Sequence, residues 1–220
     1  MPSIEGRIGD TNAAPGQFPF VVELVFTSIL GITSWSCMGS IISPKTVVTN
    51  GLCTLGATQV KMYYGSTQRG VGELVQTVNS NNFKRPLLPL PLGMSMAAIM
   101  TPAVQFSSYS YIDEIKFPEG EDEPPYEGEV AIAVKMIGNI LKYSSNTIVS
   151  ANACLTGYNI LSPVCTTPSG SCISTPGSPL TLNNQLIGVG ASLNFQNCVG
   201  LQDIFVTSVR FRGWIVNVSS

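Results

Sequence analysis

The stretch Cys37-Met38-Gly39-Ser40-Ile41-Ile42-Ser43-Pro44-Lys45-Thr46-Val47-Val48-Thr49-Asn50-Gly51-Leu52-Cys53 holds two short β-forming runs, residues 40–43 and 46–49, joined through Pro44. β-Branched residues on either side of a proline link read as strand, turn, strand. The same pattern recurs outward from it. Phe18-Pro19-Phe20-Val21-Val22-Glu23-Leu24-Val25-Phe26 is a further run. Val60-Lys61-Met62-Tyr63-Tyr64 alternates and stops at Gly65, and residues 129–134 alternate again. Gln185-Leu186-Ile187-Gly188-Val189 follows a turn signal at Asn183-Asn184. Short strands at this spacing predict an all-β sandwich or barrel. Helical signal is sparse. Residues 207–218 place Val209, Trp214 and Ile215 on one face with Arg210 and Arg212 outside, and Gly213 weakens the pattern.

The chain has 220 residues, 44% hydrophobic and 11% charged. That suits one large all-β domain or two small ones sharing a core. The net charge is −2 and no basic run exceeds Lys84-Arg85, so no nucleic-acid partner is expected. The apolar stretch 87–100 is broken by Pro89 and Pro91 and is too short for a bilayer, so no membrane partner is expected either. Residues 1–3 lack a charged-then-apolar lead. Ile4-Glu5-Gly6-Arg7 reads as a processing site, so residues 1–7 are read as a tag or propeptide remnant. Residues 79–91 and the acidic 119–125 read as loops, and the tyrosines of 107–111 as surface cover. Met94, Met96 and Met100 read as core filler, and Gly188-Val189-Gly190 as turn or close-packing glycines, not a phosphate loop.

There are six cysteines, no C-x-x-C pair and no histidine. Histidine-based zinc sites are excluded, and the cysteine spacing does not suit a four-cysteine site. Disulfides in an oxidising compartment are expected, with no metal and no cofactor. The sequon Asn217-Val218-Ser219 is compatible with secretion.

Five motifs, in order, resemble those of the chymotrypsin/trypsin family of serine proteases. Residues 13–20, Ala-Ala-Pro-Gly-Gln-Phe-Pro-Phe, resemble that family's A-x-x-G-x-x-P-aromatic start. Residues 37–42 resemble C-G-G-S-L-I, residues 47–53 resemble V-L-T-A-A-H-C, and Tyr64-Gly65-Ser66 resembles the Y-G-S turn. Residues 172–180, Cys-Ile-Ser-Thr-Pro-Gly-Ser-Pro-Leu, resemble C-x-G-D-S-G-G-P-L. The resemblance implies a trypsin-like domain over 8–220: two packed six-stranded antiparallel barrels, about 8–115 and 116–220, with a cleft between them and a short C-terminal helix. It also implies the disulfides Cys37–Cys53, Cys154–Cys165 and Cys172–Cys198, each worth about 2–4 kcal/mol.

An active member needs a serine nucleophile, a histidine base and an aspartate that orients the base. Without any histidine that triad cannot form. On the motifs, Leu52 stands at the base position and has no titratable group. Pro176 stands at the nucleophile position, with neither a hydroxyl nor the N–H that the family's oxyanion hole uses. Ser174 replaces the glycine carrying the other oxyanion donor. Ser95 falls at the orienting position, with Gly93 the alternative, and no Asp or Glu lies between Glu73 and Asp113.

The family's activation aspartate, which pairs with a freed N-terminal amine, is matched by Thr175. Arg7-Ile8 resembles the activation junction, but Ile8-Gly9-Asp10 is a residue short of the family spacing. Gly170 matches the base of the substrate pocket, and Ser192 and Leu193 its wall, where the leucine should fill the pocket entrance. The cysteines all have implied disulfide partners, and no Ser-x-x-Lys stands at a motif position to rebuild a site.

The expectation is a secreted, extracellular, monomeric pseudo-protease acting by protein binding. It is closest in character to the inactivated serine protease paralogues of the scabies mite. That resemblance implies host-protein partners, complement components among them, and inhibition of that cascade. The alternatives are a different regulatory or decoy-inhibitor partner, a weak hydrolase site in the same fold, and a structural or storage role.

Overall fold

The computed structural model describes residues 10–86, 95–119, 126–153, 163–168, 175–191 and 202–219. A two-residue strand, β1 (Thr11–Asn12), comes first. It is followed by β2 (Val21–Ser28), β3 (Ser34–Ser43), β4 (Thr46–Asn50), β5 (Ala57–Tyr64), β6 (Leu74–Asn79), β7 (Phe83–Lys84) and β8 (Met96–Met100). These last seven form one antiparallel sheet in the order β6-β5-β2-β3-β4-β8-β7. The second half supplies β9 (Val130–Ile137), β10 (Ile140–Val149), β11 (Pro163–Thr166), β12 (Pro179–Leu182), β13 (Gln185–Gly190) and β14 (Asp203–Thr207), then the helix α1 (Val209–Ser219). Their sheet runs β1-β10-β11-β14-β13-β12-β9. β9 also pairs with β10, so six of these strands close into a barrel and β1 clips onto its side. The first strand of the chain thus belongs to the second sheet.

Side-chain alternation explains how the layers pack. In β5, Val60, Met62 and Tyr64 point inward while Lys61 points out. β4 is buried on both faces: Val47 joins the core of the first sheet, and Val48 joins a core shared between the sheets. The shared core draws Phe20, Met38 and Met96 from one side and Val134, Met136, Leu186 and Val189 from the other. α1 buries Val209, Phe211 and Ile215, with Trp214 half-buried against the same core and Arg210 exposed. Phe211 is the addition to the expected apolar face.

Asn183 and Asn184 both take positive φ, 50° and 58°, and close the β12–β13 hairpin. This is the two-residue turn that suits asparagine. Among the described residues, no helix is long and apolar enough to cross a membrane.

Tyr64 is fully buried, and its hydroxyl donates to Gln76 Oε1 at 3.1 Å. Burial pushes its phenol well above the usual tyrosine value of 10.0. The folded chain therefore keeps a proton that the unfolded chain loses, so stability falls as pH rises past the unfolded value. Tyr64→Phe should flatten that alkaline fall while costing about 1 kcal/mol at neutral pH through the lost hydrogen bond. Urea unfolding between about pH 8 and pH 11 checks this; equal alkaline slopes in both proteins would contradict it.

Candidate functional site

Two short segments, one from each barrel, meet at the cleft. β4 ends at the buried Asn50 and passes into a single tight turn, Gly51–Thr54. Asn50 organises this corner. Its Oδ1 accepts the Leu52 N–H at 3.0 Å, and its Nδ2 donates to the Gly190 carbonyl of the second barrel at 3.2 Å. The Gly51 N–H donates to the Ser95 carbonyl at 2.7 Å. The Cys37–Cys53 disulfide spans Cα atoms 6.2 Å apart and ties the turn to β3. Trp35 Nε1 donates to the Cys53 carbonyl at 2.8 Å, which lays the indole along the same wall.

The facing segment runs from Thr175 to Ser178. The Pro176 carbonyl accepts the Met38 N–H at 2.9 Å and lies 3.9 Å from Cys53 Sγ. The Gly177 N–H donates to the Gly190 carbonyl at 3.0 Å, the same oxygen that Asn50 reaches. Ser178 Oγ donates to the Thr175 carbonyl at 2.7 Å. Thr175 is buried, and its hydroxyl donates to the Met136 carbonyl at 3.4 Å.

Between the segments lies an open cavity of about 370 Å³, lined by Trp35, Ser36, Cys37, Leu52, Cys53, Leu55 and Pro176. Its walls are indole, disulfide, leucine and proline. Among the described residues, the lining carries no carboxylate, amine or imidazole, so none of these side chains can take up or release a proton near neutral pH. It can receive an apolar group by burial alone.

Leu52 and Pro176 therefore line one cavity. Ser95 is buried behind it and joins it through the backbone bond to Gly51. The Cys37–Cys53 pair is present, and Cys165 is disulfide-bonded to a cysteine outside the described residues. Gly93, Gly170, Ser174, Ser192, Leu193, Cys154, Cys172 and Cys198 also lie outside them. No cluster able to hold a metal ion occurs among the described residues. Sequence reasoning missed Asn50, Trp35 and Leu55. The Asn-Gly pair after a strand is a turn signal that points to Asn50. Trp35 and Leu55 carry no such signal.

Comparisons with known proteins identify the family and the fold. The trypsin family model matches residues 7–215. Serine protease 1 of Drosophila melanogaster is 28% identical over 240 residues, covering 96% of this chain and 85% of that protein. Serine protease SP24D of Anopheles gambiae is 29% identical over 201 residues, covering 83% and 69%. Among solved structures, HL collagenase superposes with a TM-score of 0.84 at 26% identity, covering 96% of this chain and 97% of the other. The scabies mite inactivated protease paralogue S-I1 shares the fold with a TM-score of 0.78 at 19% identity, covering 96% and 98%. With the family match spanning nearly the whole chain and both barrels in place, this protein belongs to the trypsin family.

Proposed function

We propose that the chain is a secreted, proteolytically inactive trypsin-family protein that acts by binding another protein. The observation that carries this reading is the cavity between Leu52 and Pro176, whose lining offers neither a nucleophilic hydroxyl at Pro176 nor a proton acceptor at Leu52. The chain has no histidine to supply one from elsewhere. In this reading Leu52, Ser95 and Pro176 occupy the three catalytic positions. Ser174 and Thr175 alter the oxyanion hole and the activation site, and Gly170, Ser192 and Leu193 reshape the substrate pocket. The disulfides support an oxidising, extracellular setting. Solved structures of this fold include chains named as inactivated proteases, so the scaffold tolerates such loss.

The proposed partner is a host defence protein, with complement components the first candidates, bound by a monomer. A typical protein interface needs about 800 Å² per partner, more than the cavity offers, so exposed loops should carry it. Immobilised protein incubated with serum, followed by mass spectrometry, should capture a complement component. A fluorophosphonate probe should leave the protein unlabelled. Replacing segment 79–91, which carries the edge strand β7, or loop 119–126 should weaken capture, while Leu52→His with Pro176→Ser should leave it unchanged; residues 87–91 and 120–125 lie outside the described residues. Probe labelling at a single serine, or binding abolished by the cleft changes and untouched by the loop swaps, would sink the reading.

A further inference from the structure

Lys135 lies on β9 with its side chain fully buried, and its ammonium meets the carboxylate of Asp10 at 2.7 Å. A buried ammonium is strongly disfavoured unless an anion faces it. Asp10 comes from the far end of the chain, just before β1. Its position is fixed by pairing: Thr11 lies opposite Tyr143 and Asn12 opposite Lys142 on β10. The Ala13 N–H then donates to the Leu141 carbonyl at 2.9 Å, and Ala13 itself is buried. Three backbone positions and one charge pair thus hold the segment to the β9–β10 hairpin. The residue after Lys135 is Met136, whose carbonyl accepts the Thr175 hydroxyl, so the pair stands beside the turn that presents Pro176.

We infer that Asp10 and Lys135 form a built-in latch, which holds the N-terminal segment on the second barrel whether or not the chain is cut between Arg7 and Ile8. Both charges are side-chain charges. Neither depends on a free α-amine, so a cut upstream of Asp10 creates nothing that the latch needs. The facing charges also explain why a lysine can occupy an inward position on a strand face otherwise filled by Ala131 and Ala133. The cleft surface beside Thr175 is set by the fold from the start and is not switched on by processing.

Hydrogen exchange on the full chain tests this. Cutting the wild-type chain after Arg7 should leave exchange at Ala13 and across β9 and β10 unchanged, together with the thermal midpoint. Asp10→Asn should speed exchange of the Ala13 amide at least about tenfold while β2 to β5 keep their protection. Should Asp10→Asn fail to fold, Asp10→Asn with Lys135→Met should fold again, because the ammonium goes with its carboxylate, yet Ala13 should still exchange fast. The latch is refuted if the cut chain gains protection or thermal stability. It is also refuted if Asp10→Asn exchanges like the parent, or if the double variant folds no better than the single one.

Discussion

Gly177→Ala should leave the protein largely unfolded at room temperature, with a loss of more than about 4 kcal/mol. Gly177 sits at φ +83°, a region that alanine adopts only under strain. The space is the greater obstacle. A Cβ there would overlap the Met38 carbonyl oxygen and Thr49 Oγ1, well inside the 3.0 Å that real Cβ atoms essentially never breach. Neither group can step aside. The Met38 carbonyl already accepts the Thr49 hydroxyl at 2.6 Å, and the Met38 N–H is bonded to Pro176. Both barrels would have to separate locally, and they share one core at this point. Most proteins have only about 5–15 kcal/mol in hand, so a single added methyl consumes a large share. Urea unfolding at about 25 °C measures it, and a loss under about 1 kcal/mol would show that the contact yields easily.

Leu52→His combined with Pro176→Ser should give a folded protein that cleaves no peptide above background. The two changes return an imidazole, a hydroxyl and one backbone N–H to the cleft. They return no carboxylate. Ser95, the residue proposed for the orienting position, is neutral and buried and cannot stabilise an imidazolium. Loss of that carboxylate alone costs about 10⁴ in turnover, and disabling the triad as a unit costs about 10⁶. Thr175 compounds the loss, because its hydroxyl is engaged with the Met136 carbonyl and carries no charge. A fluorogenic arginyl or phenylalanyl peptide assay decides it; turnover within about 10³ of an intact triad would overturn the account.

Particular residues explain what the sequence disclosed and what it hid. The Asn183-Asn184 turn and the alternation of Val60, Met62 and Tyr64 were legible because local chemistry dictates them. The run from Phe18 begins as a turn, with the Val21 N–H donating to the Phe18 carbonyl at 3.1 Å, so the strand starts only at Val21. β10 escaped notice because its buried residues include Ser144 and Asn146, which erase the apolar period. Asn146 Nδ2 is satisfied by the Thr167 carbonyl at 2.9 Å, a bond no pattern announces. β14 is buried from Asp203 to Thr207 and shows no alternation at all. At the site, Leu52 and Pro176 could be named from the motifs, whereas Trp35 could not, because β3 begins at Ser34, well before the run that marked it. The Asp10–Lys135 pair joins residues far apart in sequence, and nothing local marks either one.

If the chain binds a partner as proposed, the shared core between the barrels would also govern the tempo of recognition. Phe20, Met38, Val48 and Met96 interlock with Val134, Met136, Leu186 and Val189, so the halves cannot swing apart without exposing apolar surface to water. A partner that docks across the two barrels meets a preformed landing ground and waits for no hinge. Its approach should follow a single exponential, with an observed rate linear in concentration and an association rate constant of about 10⁵–10⁷ M⁻¹s⁻¹. Affinity would then be tuned through how long the complex lasts rather than how quickly it forms.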